Sequence, residues 1–198
     1  MNYFFCKNTV FCALKYNNFI ILHLWNRIIS KIILDCNAFL LIFNTLQMKI
    51  SLSIWETNRN LFHNIAEQHT VNQLNTIPQG LSTNLIWNIA HVIVSQQKLI
   101  YTLSGLSMQI DTDFFERYQN GSKPTGNTSE EEILVIKNLL KSTVSKTRED
   151  FEAGLFKNFQ AYQTKTGFYL ESFEEAIAFN NYHEGIHLGM MLQIKKLI

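Results

Sequence analysis

Residues 48–198 read as an all-α fold, a four-helix bundle with a long crossover between its second and third helices. Three observations predict it. Apolar residues recur every three to four positions in four separate stretches, the period of a helix with one buried side. Two of these stretches open on a capping box, in which a Ser or Thr is followed three residues later by Glu. No stretch alternates apolar and polar residues convincingly enough for a sheet, although Gly167–Leu170 is compatible with a brief extended segment.

The first helix is expected over Ser51–Val71, where Leu52, Trp55, Leu61, Phe62 and Ile65 share the helical period. Pro78 and Gly80 then interrupt the chain. The second helix is expected from about Ser82 to Ser104, with Leu85, Ile86, Ile89, Val92, Ile93, Leu99, Ile100 and Leu103 on its apolar side and Gly105 as its C-terminal cap. Residues 105–127, with Gly121, Pro124 and Gly126, read as a connection long enough to cross the bundle, which allows the second and third helices to run parallel. Thr128 with Glu131, or Ser129 with Glu132, opens the third helix, which ends near Gly154. Ser172 with Glu175 opens the last, which runs to about Lys196.

The first 47 residues have a different character. They contain no Gly, Pro or Glu, and they hold all three cysteines, Cys6, Cys12 and Cys36. Their charges are Lys7, Lys15, Arg27 and Lys31 against Asp35, which leaves 13 basic and 15 acidic residues, a net of −2, for residues 48–198. The segment lacks the basic start, apolar centre and cleavage site of a secretory signal. Its uncharged runs, Tyr16–Asn26 and Cys36–Met48, fall short of the ~20 residues that span a bilayer. Residues 1–47 are therefore expected to be a leader outside the domain, either translated sequence upstream of a start at Met48 or an interfacial helix around Phe19–Phe43. No stable membrane insertion is expected, and a cytoplasmic location is. From Met48 on there is no cysteine, which excludes disulfides, a Cys nucleophile and Cys-ligated zinc from the domain. A net charge of −2 and the lack of any Lys/Arg run exclude a nucleic-acid partner.

The chemistry-bearing residues are histidines. His183-Glu184-Gly185-Ile186-His187 places two imidazoles four residues apart, on one face of the last helix, where both can reach one metal ion. The same HExxH pattern serves zinc peptidases, in which the Glu activates water. Those enzymes take their third ligand further along the chain, and the 11 residues after His187 contain no His, Asp, Glu or Cys. A third ligand must come from upstream. His91 lies in the middle of the apolar second helix; His63 lies about as deep in the first; His69 lies near the end of the first. Spacing alone leaves His91 and His63 both open.

Three segments resemble the DinB family, whose members include bacillithiol- and mycothiol-transferase-like proteins. NLIWNIAHV resembles its second helix, with Trp87 and His91. FFERYQNGSKPT, residues 114–125, resembles its loop motif. FEEAIAFNNYHEGIHLGMMLQIKKL resembles its last helix, with His183, His187 and Gly189. The resemblance implies a DinB-like bundle whose three-His site, His91, His183 and His187, holds zinc, nickel, iron or manganese. It further implies a metal-dependent small-molecule enzyme. Such an ion would activate either the thiolate of a low-molecular-weight thiol, for an S-transferase, or water, for a hydrolase. The alternative is a non-catalytic metal-binding bundle, a sensor or interaction module. Asn88, one turn before His91, and Asn180, three residues before His183, are candidates for orienting the imidazoles. Glu184, pointing about 100° from its neighbouring His, is a candidate catalytic carboxylate, or else a solvated one or one that supports the ligands from behind. Met190 and Met191 are expected to be core filler. Phe114, Phe115 and Phe168, in apparent loops, together with the resemblance, suggest a homodimer.

Overall fold

The computed structural model describes residues 6–198, with side chains from Arg27 on except those of residues 29, 36, 37, 40, 41 and 44. The side chains of His23, Cys6, Cys12 and Cys36 lie outside the described residues. The chain divides into two compact units, Met1–Gln47 and Met48–Ile198. Helix α1 is Cys6–Glu67. In the first unit its described large apolar side chains, among them Ile32, Leu34, Phe39 and Ile42, are exposed. Among the described residues no helix is long and apolar enough to cross a membrane.

The second unit is built from the last 20 residues of α1 and from α2 (Val71–Asn75), α3 (Leu85–Gln96), α4 (Thr112–Tyr118), α5 (Glu130–Glu152) and α6 (Phe173–Ile194). Local chemistry sets the starts. Asn84, Ser129 and Ser172 are N-caps whose side chains accept from the backbone N–H three residues on, at Trp87, Glu132 and Glu175. Ser129, rather than Thr128, thus opens α5. The first helix stops at Glu67, earlier than its apolar spacing predicts, because Thr70 and Gln73 form a capping box that begins the separate α2.

The helix that the sequence carries to Ser104 leaves α geometry after Gln96. It continues as a π turn, Gln97–Tyr101, and a 3₁₀ turn, Thr102–Ser104, ending on Gly105 at φ 72°, a left-handed cap that favours glycine. The crossover that follows is not free of structure. It contains α4, capped by Asp111, and buries Phe114 at 4% exposure. Phe114 and Phe115 therefore pack into the core, and of the three loop aromatics only Phe168 stays exposed. The brief extended segment is one half of a two-stranded antiparallel hairpin, β1 (Tyr162–Gln163) against β2 (Tyr169–Leu170).

Pairings give the helix directions. Gln96 bonds Thr143 and Thr147, and Tyr101 bonds Asp150, so α3 and α5 rise together. Glu56 pairs with Arg148 and Glu67 with Lys137, so α1 opposes α5. Asn181 bonds Ser51 and Glu184 bonds Trp55, so α6 runs with α1 and against α3. Parallel α3 and α5 require the long crossover.

The core has two apolar layers. One gathers Phe62, Ile93, Ile136, Leu140 and Met191; the other gathers Trp55, Ile100, Val144 and Ile177. Between them each helix contributes buried polar groups: Arg59 from α1, Gln96 from α3, Thr143 and Thr147 from α5, and Asn180 and Glu184 from α6. Burying such groups costs several kcal/mol unless they bond one another. Arg59 does so by reaching Glu184 Oε1, the Val92 carbonyl and Gln96 Oε1. The histidines lie at this same level.

Candidate metal centre

His91 projects from the middle of α3; His183 and His187 project from successive turns of α6. Because α3 and α6 are antiparallel neighbours, positions seven residues into α3 and 11 to 15 into α6 meet. The ring centroids of His91 lie 5.3 Å from His183 and 4.8 Å from His187, and those of His183 and His187 lie 4.6 Å apart. Each ring offers a nitrogen within 4.8 Å of the others, and among the described residues no other set of His, Cys, Asp or Glu does so as a group of three.

Two of the rings are fixed by bonds on their far side. His91 Nδ1 donates to the Tyr118 carbonyl at 2.7 Å, which leaves Nε2 as the acceptor nitrogen, and Ser95 Oγ donates to it at 3.2 Å. Trp87 stacks flat on the same imidazole at 4.7 Å and 9°. His187 Nδ1 donates to Asn88 Oδ1 at 2.8 Å. Asn88 is oriented in turn, its amide nitrogen donating to the Asn84 carbonyl and Thr83 Oγ1. This is the arrangement that holds ligating imidazoles in place at metal sites. The Nδ1 of His183 is buried with no partner in the protein.

Burial also sets the protonation state. Desolvation, reinforced by His91 and then Arg59, pushes the His183 imidazole down to about 4. Desolvation, with His183 and His91 adding, pushes His187 down to about 2. His91 is lowered by burial, against the opposing pull of the Tyr118 carbonyl. At neutral pH all three are uncharged, the form that ligates metals.

The remaining sequence candidates fall elsewhere. His63 sits 3.8 Å from Glu67 and beside Lys137 and Lys141, and His69 bonds the Ile65 carbonyl; neither joins the triad. Asn180 donates to Glu184 at 2.9 Å, not to an imidazole. Glu184 is neither solvated nor turned toward the histidines. It is fully buried, and its Oε1 accepts from Trp55 Nε1 at 2.7 Å, Arg59 Nε at 3.0 Å and Asn180. Burial pushes its carboxyl up, and Arg59, then Asn180 and Trp55, pull it back. Met191 is core, whereas Met190 is exposed.

Several contributors were not singled out from the sequence: Trp55, Arg59, Ser95 and Tyr118. The segment resembling the family's loop motif contains Tyr118, whose carbonyl fixes His91, and Ser122, whose hydroxyl accepts from Trp87 Nε1 at 3.3 Å. A cleft of about 550 Å³, including its open mouth, lies against His91 and His183 and is walled by α3, α6 and the β1–β2 hairpin.

The sequence profile of the DinB superfamily matches residues 54–191. A crystal structure described as the conserved protein of locus from Enterococcus faecalis is similar in fold, with a TM-score of 0.53 at 14% identity, covering 76% of this chain and 95% of that one. A comparison with curated proteins found no match. The profile covers all three histidines, and the chain belongs to the DinB superfamily.

Proposed function

We propose that residues 48–198 hold a divalent transition metal through His91, His183 and His187 and act as a metal-dependent enzyme on a small molecule, by transfer of a low-molecular-weight thiol or by hydrolysis. The observation that carries this reading is the convergence of three neutral imidazoles beside an open cleft. The donor set suits zinc, nickel, iron or manganese. A separation of up to 4.8 Å between ring nitrogens is within reach of small side-chain rotations onto an ion with bonds of ~2.0–2.1 Å. An ion bound by three neutral nitrogens supplies a Lewis acid with coordination positions left for water or a thiol.

The protein's own groups do the rest. Tyr118 and Asn88 hold two ring orientations, Trp87 keeps one face of His91 dry, and the cleft admits substrate from the side of His91 and His183. Glu184 is assigned a positioning role, because its bonds turn it toward the core. The open cleft, with no carboxylate or cysteine in its lining, favours an enzyme over a closed, non-catalytic metal site, which would place a fourth protein ligand there.

The test is metal stoichiometry for single His→Ala variants at equal folded concentration. His91→Ala, His183→Ala and His187→Ala should each lose most of the bound metal, and His63→Ala and His69→Ala should keep it. Full occupancy in His91→Ala would sink the triad. A screen of thiols with electrophilic acceptors, alongside ester and amide substrates, then separates transfer from hydrolysis.

A further inference from the structure

We infer that the cleft beside the histidines selects small anionic molecules, with the carboxylate or phosphate held by Lys98 and Lys165. The inference rests on the reading above for the position of the ligand's other end, at the triad. His91, Ser95 and Lys98 fall at i, i+4 and i+7 and line one wall from α3 and the π turn that follows it. Lys165 and Thr166 line it from the turn of the β1–β2 hairpin, and Asn120 lines it from the crossover.

The charge in this cleft is one-sided. Two lysines line it and no Asp or Glu does, although residues 48–198 carry more acidic than basic residues. Composition therefore predicts the opposite sign. Five of the 13 cations of this unit are committed to carboxylates: Arg59 to Glu184, Arg117 to Glu132, Lys137 to Glu67, Lys146 to Asp150 and Arg148 to Glu56. Among the described residues neither Lys98 nor Lys165 makes an ion pair. Lys98 Nζ instead stands over the Tyr162 ring, 5.2 Å from its centroid, a contact that places the ammonium at the cleft wall without neutralising it. The amide of Asn120 adds a neutral donor of the kind that completes anion recognition. A ligand of this class has a donor atom directed at the histidines and an anionic group a few bonds away.

The test uses the full chain loaded with cobalt and three thiols of similar length and different charge: 3-mercaptopropionate, 2-mercaptoethanol and cysteamine. Binding is read from the thiolate-to-cobalt absorption. The expected order is mercaptopropionate first, about tenfold tighter than mercaptoethanol, with cysteamine weakest, since two partly screened ion pairs multiply to a factor of that order. In the Lys98→Gln/Lys165→Gln double variant the preference should fall to within about twofold while mercaptoethanol binds as before. Equal affinities in the native chain, or a preference that survives in the double variant, would overturn the inference.

Failure to bind cobalt would defeat the metal reading instead. The charge selectivity is then decided on the metal-free chain, by the amide shifts of Ser95, Lys98 and Thr164 as sodium phosphate is added against sodium chloride of equal ionic strength. Saturable shifts that vanish in the double variant uphold the inference; shifts matched by chloride, or unchanged in the variant, overturn it.

Discussion

Replacing Glu184 by Gln should destabilise the bundle strongly, and replacing Arg59 along with it should restore part of the loss. Arg59 and Glu184 are both fully buried, with Nη2 and Oε1 2.8 Å apart. Glu184→Gln keeps the shape and an oxygen acceptor for Trp55, Asn180 and Arg59 Nε, but leaves the Arg59 guanidinium with neutral acceptors alone. Breaking a buried pair from one side costs ~3–5 kcal/mol, because one uncompensated charge stays in the core. With a urea dependence of ~2 kcal/mol/M, the unfolding midpoint should fall by roughly 2 M. Arg59→Met alone should cost less, because burial already pushes the Glu184 carboxyl toward its neutral form. The Arg59→Met/Glu184→Gln chain should unfold at least ~1–2 kcal/mol later than the sum of the single losses predicts, the sign of direct coupling. If Glu184→Gln unfolds within ~0.5 kcal/mol of the native chain, or the two losses add, the buried pair does not hold the bundle as described.

Asn88→Ala should weaken metal binding by ~10–100-fold with little change in fold, since it frees the His187 ring to rotate; competition with a chelating dye measures it, and an unchanged affinity would remove Asn88 from the site. The metal-free protein should lose stability as pH falls below ~6.5, where unfolded histidines begin to protonate while His183 and His187, lowered to about 4 and about 2, remain neutral in the fold. Above ~7.5 this contribution is constant, and by pH 5.5 the loss should amount to ~2–3 kcal/mol for the two rings, read as a lower urea midpoint; a flat profile from pH 7.5 to 5.5 would contradict it. A chain beginning at Met48 should keep the helix content and melting temperature of the second unit, because its core residues Met48, Leu52 and Trp55 all remain; a large drop in melting temperature would show that residues 1–47 contribute to its stability.

What the sequence reveals of this fold depends on how local the cause is. Ser172 caps α6 through the N–H of Glu175, and Gly105 ends its helix through its own φ, so neighbours in the chain suffice to predict both. The seven residues of α4 are too few for an apolar period, and Phe114 is buried by partners the spacing cannot show. The π turn at Gln97–Tyr101 leaves no mark in an apolar pattern that continues through it. The metal candidates divide the same way. His183 and His187 are legible from their spacing alone, whereas His91 meets them across roughly 90 positions and only the family resemblance separates it from His63. Glu184 was the least legible, because its partners Trp55 and Arg59 lie 129 and 125 positions away.

The position of Glu184 explains how this bundle uses an HExxH segment. Successive residues on an α-helix are separated by ~100°, so His183 and His187 lie ~40° apart on one side while Glu184 faces another. In this chain that second direction leads into the core, where three donors converge on one carboxylate oxygen. Those bonds hold α6 to α1 through Trp55 and Arg59, and Arg59 carries the connection on to α3 through Val92 and Gln96. The rotation of α6 about its own axis is therefore fixed from a face other than the one that carries the imidazoles. A rotation that broke the Glu184 contacts would swing both imidazoles away from His91, whose own ring is held by Tyr118 and Trp87. The carboxylate thus acts on the histidines through the helix they share, and the polar layer between the two apolar clusters is what aims the candidate ligands at one point.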